Sequence, residues 1–248
     1  MGTDNPLTDF QNDMKKYDAV FLDAGYTLFS ANPSPAKFYH QVCARHMVEL
    51  TVDQMIEAMR EVWIERVVPE MNDLNASFSC SDDEDRQWWW AYDREIFSRL
   101  QIPADKHREI FDEIYRFFGD PTAWELYPDT RQSLEKLKQS DFSLGIVSNW
   151  NSSLKRIVEG LELTHYFDFI LSSAEAGWKK PSPKIFEMAL QLAATEPARV
   201  VHVGDTYQAD VLGARNAGIR GIMLDRRGGV HQDHEVITGL LELHPLLA

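Results

Sequence analysis

The sequence predicts an α/β fold in which a doubly wound parallel sheet carries an inserted helical unit. Between residues 127 and 225, short apolar segments alternate with amphipathic helical segments, which is typical of parallel strands joined by helical crossovers. One more apolar segment, Ala19–Leu22, lies near the N-terminus. The residues between, about 31 to 120, show helical periodicity and no convincing strand. The helical unit is therefore expected to interrupt the sheet after its first strand.

The first predicted strand ends in a loop that carries a carboxylate. Ala19–Leu22 is followed directly by Asp23, and Gly25 then interrupts the apolar pattern. In open α/β sheets, ligands bind at the carboxyl ends of the strands, which makes Asp23 a candidate for chemistry. Taken alone, Asp23 is equally well explained as a solvated turn residue.

Four amphipathic helices are predicted next, after Asn32, Pro33 and Pro35 break the chain. Their apolar faces are, in order, Tyr39, Cys43, Met47 and Leu50; Ile56, Met59, Trp63 and Val67; Trp89, Tyr92, Ile96 and Leu100; and Ile110, Ile114 and Phe118. We expect residues 31–120 to form a helical cap domain over the active edge of a core built from residues 1–30 and 121–248.

The remaining elements alternate between helix and strand. Strands are predicted at 143–147, 169–172, 199–203 and 221–225, and helices at 129–139, up to 158, 182–193 and up to 217.

Composition limits the classes of partner. The chain has 248 residues, of which 44% are hydrophobic, and a formal net charge of −14 with a pI near 5.0. This charge argues against a nucleic-acid backbone or an anionic membrane as the main partner. No segment is apolar enough to span a bilayer, and the two cysteines, Cys43 and Cys80, lack metal-ligand spacing. We expect a soluble, cytoplasmic protein.

Polar clusters follow three more predicted strands. They are Ser148 with Asn149, Lys179 with Lys180, and Asp205 with Asp210. Each has an ordinary explanation as a helix start, a solvated charge or a turn.

Together, however, they bring a carboxylate, a hydroxyl, a cation and further acids to one edge of a sheet. Phosphoryl transfer needs such a set, and the crowded acids need a cation among them. Hard oxygen ligands in small number favour Mg²⁺.

The sequence resembles the haloacid dehalogenase (HAD) superfamily, whose four motifs are similar to DAGYT, IVSN, KKP and GDTYQAD. The resemblance implies a Rossmann-like core, and the insertion resembles the helical cap of that superfamily's first cap class. The implied catalytic residues are Asp23, as nucleophile, and Lys180, which lies directly before proline as is common in the family. Ser148, Asn149 and Lys180 would contact phosphate, and Mg²⁺ would be held by Asp23, Asp205 and the Gly25 carbonyl. Asp210 would support the lysine and the metal site.

One departure from the phosphatase pattern affects function. Gly25 replaces the aspartate that protonates the leaving group, and Tyr26 replaces the usual glycine after it. General acid-base help is typically worth about 10² to 10⁴ in rate. Three alternatives therefore stay open: a slow Mg²⁺-dependent phosphatase acting on a small phosphorylated metabolite, a metal-free haloacid dehalogenase, and an impaired protein that binds a phosphorylated ligand or a partner.

Other conspicuous residues are given structural roles. We expect Trp88 to Trp90 to pack in the core of the cap, His202 to be a packed core residue, and His231 and His234 to lie in a solvated loop.

Overall fold

A computed structural model describes residues 16–72, 81–229 and 235–247 of the chain. Cys80, His231 and His234 lie outside these residues. The strands are β1 Ala19–Leu22, β2 Phe29–Ala31, β3 Trp124–Leu126, β4 Ser143–Ser148, β5 Phe169–Ser172, β6 Val200–Gly204, β7 Arg220–Leu224 and β8 Val236–Ile237. Six of them form a parallel sheet in the order β5-β4-β1-β6-β7-β8. Strands β2 and β3 form a separate antiparallel pair.

The helices lie between these strands or follow the last of them. They are α1 Pro35–Arg45, α2 Val52–Val62, α3 Val68–Asn72, α4 Asp82–Arg99, α5 His107–Phe118, α6 Thr130–Gln139, α7 Leu154–Gly160, α8 Ser173–Ala176, α9 Pro183–Ala193, α10 Gly213–Asn216 and α11 Leu243–Leu247. Two π-helical segments, Trp63–Val67 and Tyr207–Leu212, precede α3 and α10. No described helix is both long and apolar enough to cross a membrane.

The central strand β1 is buried on both faces of the sheet. Val20 and Leu22 pack into one hydrophobic cluster, and Ala19 and Phe21 pack into another. Successive side chains of a strand point to opposite faces, so these clusters cover the two faces of the sheet. A fully buried parallel strand explains the unbroken apolar sequence of β1.

The helical unit has a hydrophobic cluster of its own. This cluster runs from Phe38 to Ile114 and draws its buried side chains from α1, α2, α4 and α5 and the segments joining them. Separate clusters support two units, while the exact boundaries at residues 31 and 120 stay a prediction.

The predicted faces of the first two helices were partly wrong. Met47 is 85% exposed because α1 ends at Arg45. In α2 the buried residues are Met55, Ala58 and Val62, whereas Ile56 is exposed. The spacing from Val62 to Val67, which is also buried, is five residues because the π-helical segment Trp63–Val67 lies there.

Candidate active site

The carboxyl ends of the three central strands carry acidic and hydroxyl groups. Asp23 directly follows β1, Ser148 is the last residue of β4, and Asp205 directly follows β6. The register is parallel throughout, since Leu22 is aligned with Ile146 and with Val203. These three side chains therefore reach the same edge of the sheet.

Lys180 lies among the acids of this edge. Its Nζ donates to Asp23 Oδ1 at 2.7 Å and to Asp210 Oδ1 at 2.6 Å, and the residue is 4% exposed. Ser148 Oγ donates to the same Asp23 oxygen at 2.8 Å. Burial lowers the pKa of Lys180, but the charges of Asp210 and Asp23 outweigh it and raise that pKa above its usual value. Lys180 is therefore an ammonium ion that holds the two acids together.

Asp210 has partners on both carboxylate oxygens. Oδ1 contacts Lys180 Nζ and His202 Nε2, the latter at 2.9 Å, and Oδ2 accepts from the Thr206 backbone N–H at 2.9 Å. Burial raises the pKa of Asp210, yet Lys180 and His202 together hold it below its usual range. Burial lowers the pKa of His202, so the ring is neutral and Nε2 carries the proton given to Asp210.

Asn149 fixes the backbone of Lys180. Its Oδ1 accepts from the Lys180 N–H at 2.7 Å, and its Nδ2 donates to the Lys180 carbonyl at 2.9 Å. Both polar atoms of the amide are thus occupied by one residue. The Asn149 side chain orients the lysine, and its predicted contact with phosphate stays a prediction.

Asp205 lies beside the carboxylates of Asp23 and Asp210. One oxygen from each of Asp23, Asp205 and Asp210 lies within 4.8 Å of the others. Burial, followed by the charges of Asp23 and Asp210, raises the pKa of Asp205 to about 8. Burial also raises the pKa of Asp23, against the lowering effect of Lys180. Clustered oxygen donors with this mutual repulsion fit a hard divalent cation such as Mg²⁺.

The space above Gly25 is filled by an aromatic ring. A Cβ added at Gly25 would lie 2.8 Å from Trp150 Cζ3. Trp150 is held there by ring contacts with Phe29 and Trp124, whose centroids lie 5.9 Å and 4.9 Å from its own. The next residue, Tyr26, has a left-handed φ of 57°, a conformation that favours glycine. An aspartate at residue 25 would therefore need Trp150 to move.

A pocket of about 260 Å³ opens above Asp23 and reaches the helical unit. On the sheet side it is lined by Asp23, Ser148 and Lys180, and on the helical side by Trp63, Glu70, Asp85, Trp88 and Trp89. Trp88 and Trp89 thus line the pocket as well as packing on the helical cluster, while Trp90 packs against Phe111. The interpretation of all three as core residues missed this part of their role.

The sequence carries a family signature over two thirds of its length. A family model described as haloacid dehalogenase-like hydrolase matches residues 60–224. The chain belongs to this family. The resemblance carried by the four motifs is therefore confirmed, and the protein is a HAD-type hydrolase.

Individual relatives of this hydrolase include enzymes with named substrates. Haloacid dehalogenase-like hydrolase domain-containing protein 3 from Bos taurus is 36% identical over 139 residues, which cover 56% of this chain and 55% of that protein. A phosphoserine phosphatase from Thermus thermophilus is 36% identical over 134 residues, which cover 54% of this chain and 53% of the phosphatase. The chain thus spans about half the length of these two relatives.

A solved structure has the same fold. The putative HAD-hydrolase YfnB from Bacillus subtilis, described as bound to magnesium, superposes with a TM-score of 0.74 at 19% identity, covering 94% of this chain and 99% of that one. At this identity the likeness concerns the fold alone. The predicted fold class, a doubly wound Rossmann-like HAD core with an inserted helical cap, is confirmed.

Several residues near the site were not predicted from the sequence. His202 was expected to be a core residue, and it is fully buried, but it also donates to Asp210. No motif indicates a role for Trp150, Asp85 or Asp93. The only sequence signal for Trp150 was its position two residues after Ser148, in the loop that the motif places at the active edge.

Proposed function

We propose that this hydrolase is a Mg²⁺-dependent phosphatase that acts on small phosphate monoesters through an aspartyl phosphate on Asp23. The observation that carries the proposal is the hydrogen-bonded group of Asp23, Ser148, Lys180 and Asp210 at the strand ends. The likeness to a relative named phosphoserine phosphatase supports a phosphate ester as the substrate.

Asp23 is the nucleophile in this proposal. Ser148 and Lys180 both donate to Oδ1, which leaves Oδ2 to attack phosphorus. The ester P–O bond breaks, and the alkoxide or aryloxide leaves with the bonding electrons and takes a proton from water. A second water then hydrolyses the acyl phosphate, which releases inorganic phosphate and restores the carboxylate. Ser148, Lys180 and the backbone amide of Asn149 would contact the phosphoryl oxygens.

Mg²⁺ would be held by Asp23, Asp205 and the carbonyl of Gly25. Bound there, it would offset the negative charge of the phosphoryl group and of the carboxylates around it. Asp205 suits this role because no side chain among the described residues donates a hydrogen bond to it, whereas both oxygens of Asp210 are occupied. Asp210 therefore acts as a positioning residue for Lys180.

Because residue 25 is a glycine and not an acid, we expect the enzyme to act on a narrower range of substrates. Without a proton donor, an alkoxide is a poor leaving group, so esters of weakly basic alcohols should react fastest. We expect aryl and acyl phosphates to be hydrolysed at least tenfold faster than alkyl phosphates.

The test is a panel of aryl, acyl and alkyl phosphates together with 2-chloropropionate, assayed with Mg²⁺ and with chelator, on wild type and on Asp23→Asn. Phosphate release that requires both Mg²⁺ and Asp23 supports the proposal. Chloride release in chelator would instead support a dehalogenase, which needs no leaving-group acid. Equal turnover of alkyl and aryl esters, with chemistry rate-limiting, would contradict the leaving-group argument.

A phospho-ligand-binding role is the second candidate, and one observation favours it. The ring of Trp150 occupies the space that a catalytic aspartate at residue 25 would need. Binding of phosphate esters without turnover at any Mg²⁺ concentration would support this alternative.

A further inference from the structure

A second cavity, of about 400 Å³, adjoins the pocket above Asp23, and we call it the aromatic chamber. The two cavities share six lining residues, namely Tyr26, Trp63, Asp85, Trp89, Asn149 and Trp150. Beyond them the chamber is lined by the rings of Tyr39, Tyr92, Tyr115, Phe118 and Trp124. A molecule whose phosphoryl group reaches Asp23 can therefore extend its other end into the chamber.

A buried acid lines this chamber. Asp93 lies on α4 and is 1% exposed. Within the described part of the chain, the hydrogen bond recorded for its carboxyl group comes from Tyr39 Oη to Oδ1, at 2.7 Å. The described residues that line the chamber include no lysine or arginine. Burying a carboxylate without a cation is costly, so burial favours the protonated form of Asp93, and a cation that enters the chamber would favour the ionised form.

The pocket at Asp23 is lined by both basic and acidic side chains, whereas the charged side chains that line the chamber, among the described residues, are those of Asp85 and Asp93. Lys179 and Lys180 line the pocket at Asp23, where a phosphoryl group would lie. Asp85 and Asp93 line the chamber, among aromatic rings whose faces attract cations. Asp85 also accepts from Asn151 and Tyr115, so Asp93 is the less occupied of the two acids.

We propose that the aromatic chamber binds the ammonium group of a phosphate monoester whose alcohol portion carries a quaternary or protonated amine. The inference rests on the proposed function for the position of the phosphoryl group. The rings surround the cation, and Asp93 releases its proton to solvent when the cation binds and so supplies the opposite charge. A neutral apolar group would fit the rings but would leave Asp93 protonated and would gain no ion pair with it.

The experiment compares two esters that have the same shape. Choline phosphate and 3,3-dimethylbutyl phosphate differ only in the quaternary nitrogen, which is carbon in the second. Pairs of esters with longer spacers between the phosphate and the quaternary centre are included, because the depth of the chamber determines which spacer length fits. We expect kcat/KM to favour the cationic ester by about tenfold or more at the best spacer length. A ratio near one at every length would overturn the inference.

The variant Asp93→Asn tests the carboxyl group and keeps an oxygen that accepts from Tyr39. The ratio of cationic to neutral ester should fall at least fivefold in Asp93→Asn, and it should be retained in Asp83→Asn, which changes an exposed acid of the same helix. An unchanged ratio in Asp93→Asn would overturn the assignment to this residue.

Binding of the two esters to the Asp23→Asn variant, measured by tryptophan fluorescence, separates this inference from the proposed function. Preferred binding of choline phosphate without turnover in the wild type would support the chamber and contradict the phosphatase. The opposite result is Mg²⁺-dependent hydrolysis of p-nitrophenyl phosphate with no preference for the cationic ester in binding or turnover. It would overturn the role proposed for the chamber and would still support the phosphatase.

Discussion

Lys180 combines a structural role with the chemical role proposed for it. It is buried between Asp23 and Asp210, and its backbone is fixed by Asn149. The neighbouring Lys179 lies 5.9 Å from the ring of Trp88 and lines the pocket. The sequence preference for Lys180 over Lys179, based on the following proline, agrees with this geometry.

Replacing Lys180 should therefore cost both stability and activity. Lys180→Met leaves two buried carboxylates without a counter-charge, and we expect the free energy of unfolding to fall by about 3–5 kcal/mol. Lys179→Met is the matched control and should change it by less than about 0.5 kcal/mol. Urea unfolding at neutral pH measures the free energy of unfolding of both variants. Equal midpoints for the two variants would show that the ion pairs contribute little.

Gly25 and Trp150 form a second pair whose effects are coupled. Gly25→Asp alone should destabilise the protein by about 1–3 kcal/mol, because the new Cβ meets the Trp150 ring. Gly25→Asp combined with Trp150→Ala has room for the acid, and its turnover of an alkyl phosphate should exceed that of Trp150→Ala by tenfold or more. If the single Gly25→Asp variant were as stable as wild type and as active as the double variant, the ring would not be the obstacle.

At the scale of elements, helix α4 is attached to the loop after β4. Ser152 donates to Asp82 from its backbone N–H at 2.8 Å and from Oγ at 2.6 Å. One turn further along, Asn151 Nδ2 donates to Asp85 at 2.9 Å. Because this loop also carries Asn149 and Trp150, the contact joins the helical unit to the active edge.

Removing this contact should loosen the helical unit over the site. Asp82→Ala loses two hydrogen bonds to a charged but exposed acceptor, worth about 1 kcal/mol together, so KM should rise about fivefold. Hydrogen exchange at residues 151–153 should become faster. Asp83→Ala removes a neighbouring exposed acid from the same first turn and controls for the helix dipole. Equal hydrogen-exchange rates at residues 151–153 in Asp82→Ala and Asp83→Ala would argue that this contact does not hold the helical unit in place.

The elements also show what the sequence could predict. The five strands β1, β4, β5, β6 and β7 were predicted within one or two residues, because each is a clearly apolar segment in a buried parallel sheet. Strands β2, β3 and β8 have only two or three residues, which is too short for any periodicity. The face of α2 was predicted partly wrongly, since the π-helical segment changes the spacing of buried residues in a way that a uniform helical period cannot represent.

The residues of the candidate site also form two groups, those that the sequence could predict and those that it could not. Asp23, Ser148, Lys180, Asp205 and Asp210 lie at strand ends or in motifs, so their meeting at one edge followed from the topology. The roles of His202, Trp150 and Asp93 depend on which side chains pack together across elements distant in sequence. Asp93 and its partner Tyr39, for example, are 54 residues apart and lie on different helices.

At the scale of the whole molecule, Asp93 links folding stability to pH. Burial raises the pKa of Asp93 to about 8, although the hydrogen bond from Tyr39 acts to lower it. An unfolded aspartate has a pKa of about 3.9. The groups that face Asp93 are Tyr39 and Cys43 from α1 and Tyr92 from α4. Burial raises the pKa of each, to about 11 for Cys43, so all three stay neutral up to pH 8.

Between about pH 4 and pH 8 the native state therefore keeps a proton on Asp93 that the unfolded state has released. Because the native state binds more protons, stability falls as pH rises through this range and levels off above it. In Asp93→Asn this contribution is absent, so the variant should gain stability relative to wild type by up to about 1.4 kcal/mol per pH unit across that range. Urea unfolding at several pH values measures the difference, and Asp83→Asn should follow the wild-type curve. Parallel curves for Asp93→Asn and wild type would mean that Asp93 is ionised in the folded protein, and the cation it then requires would have to be identified.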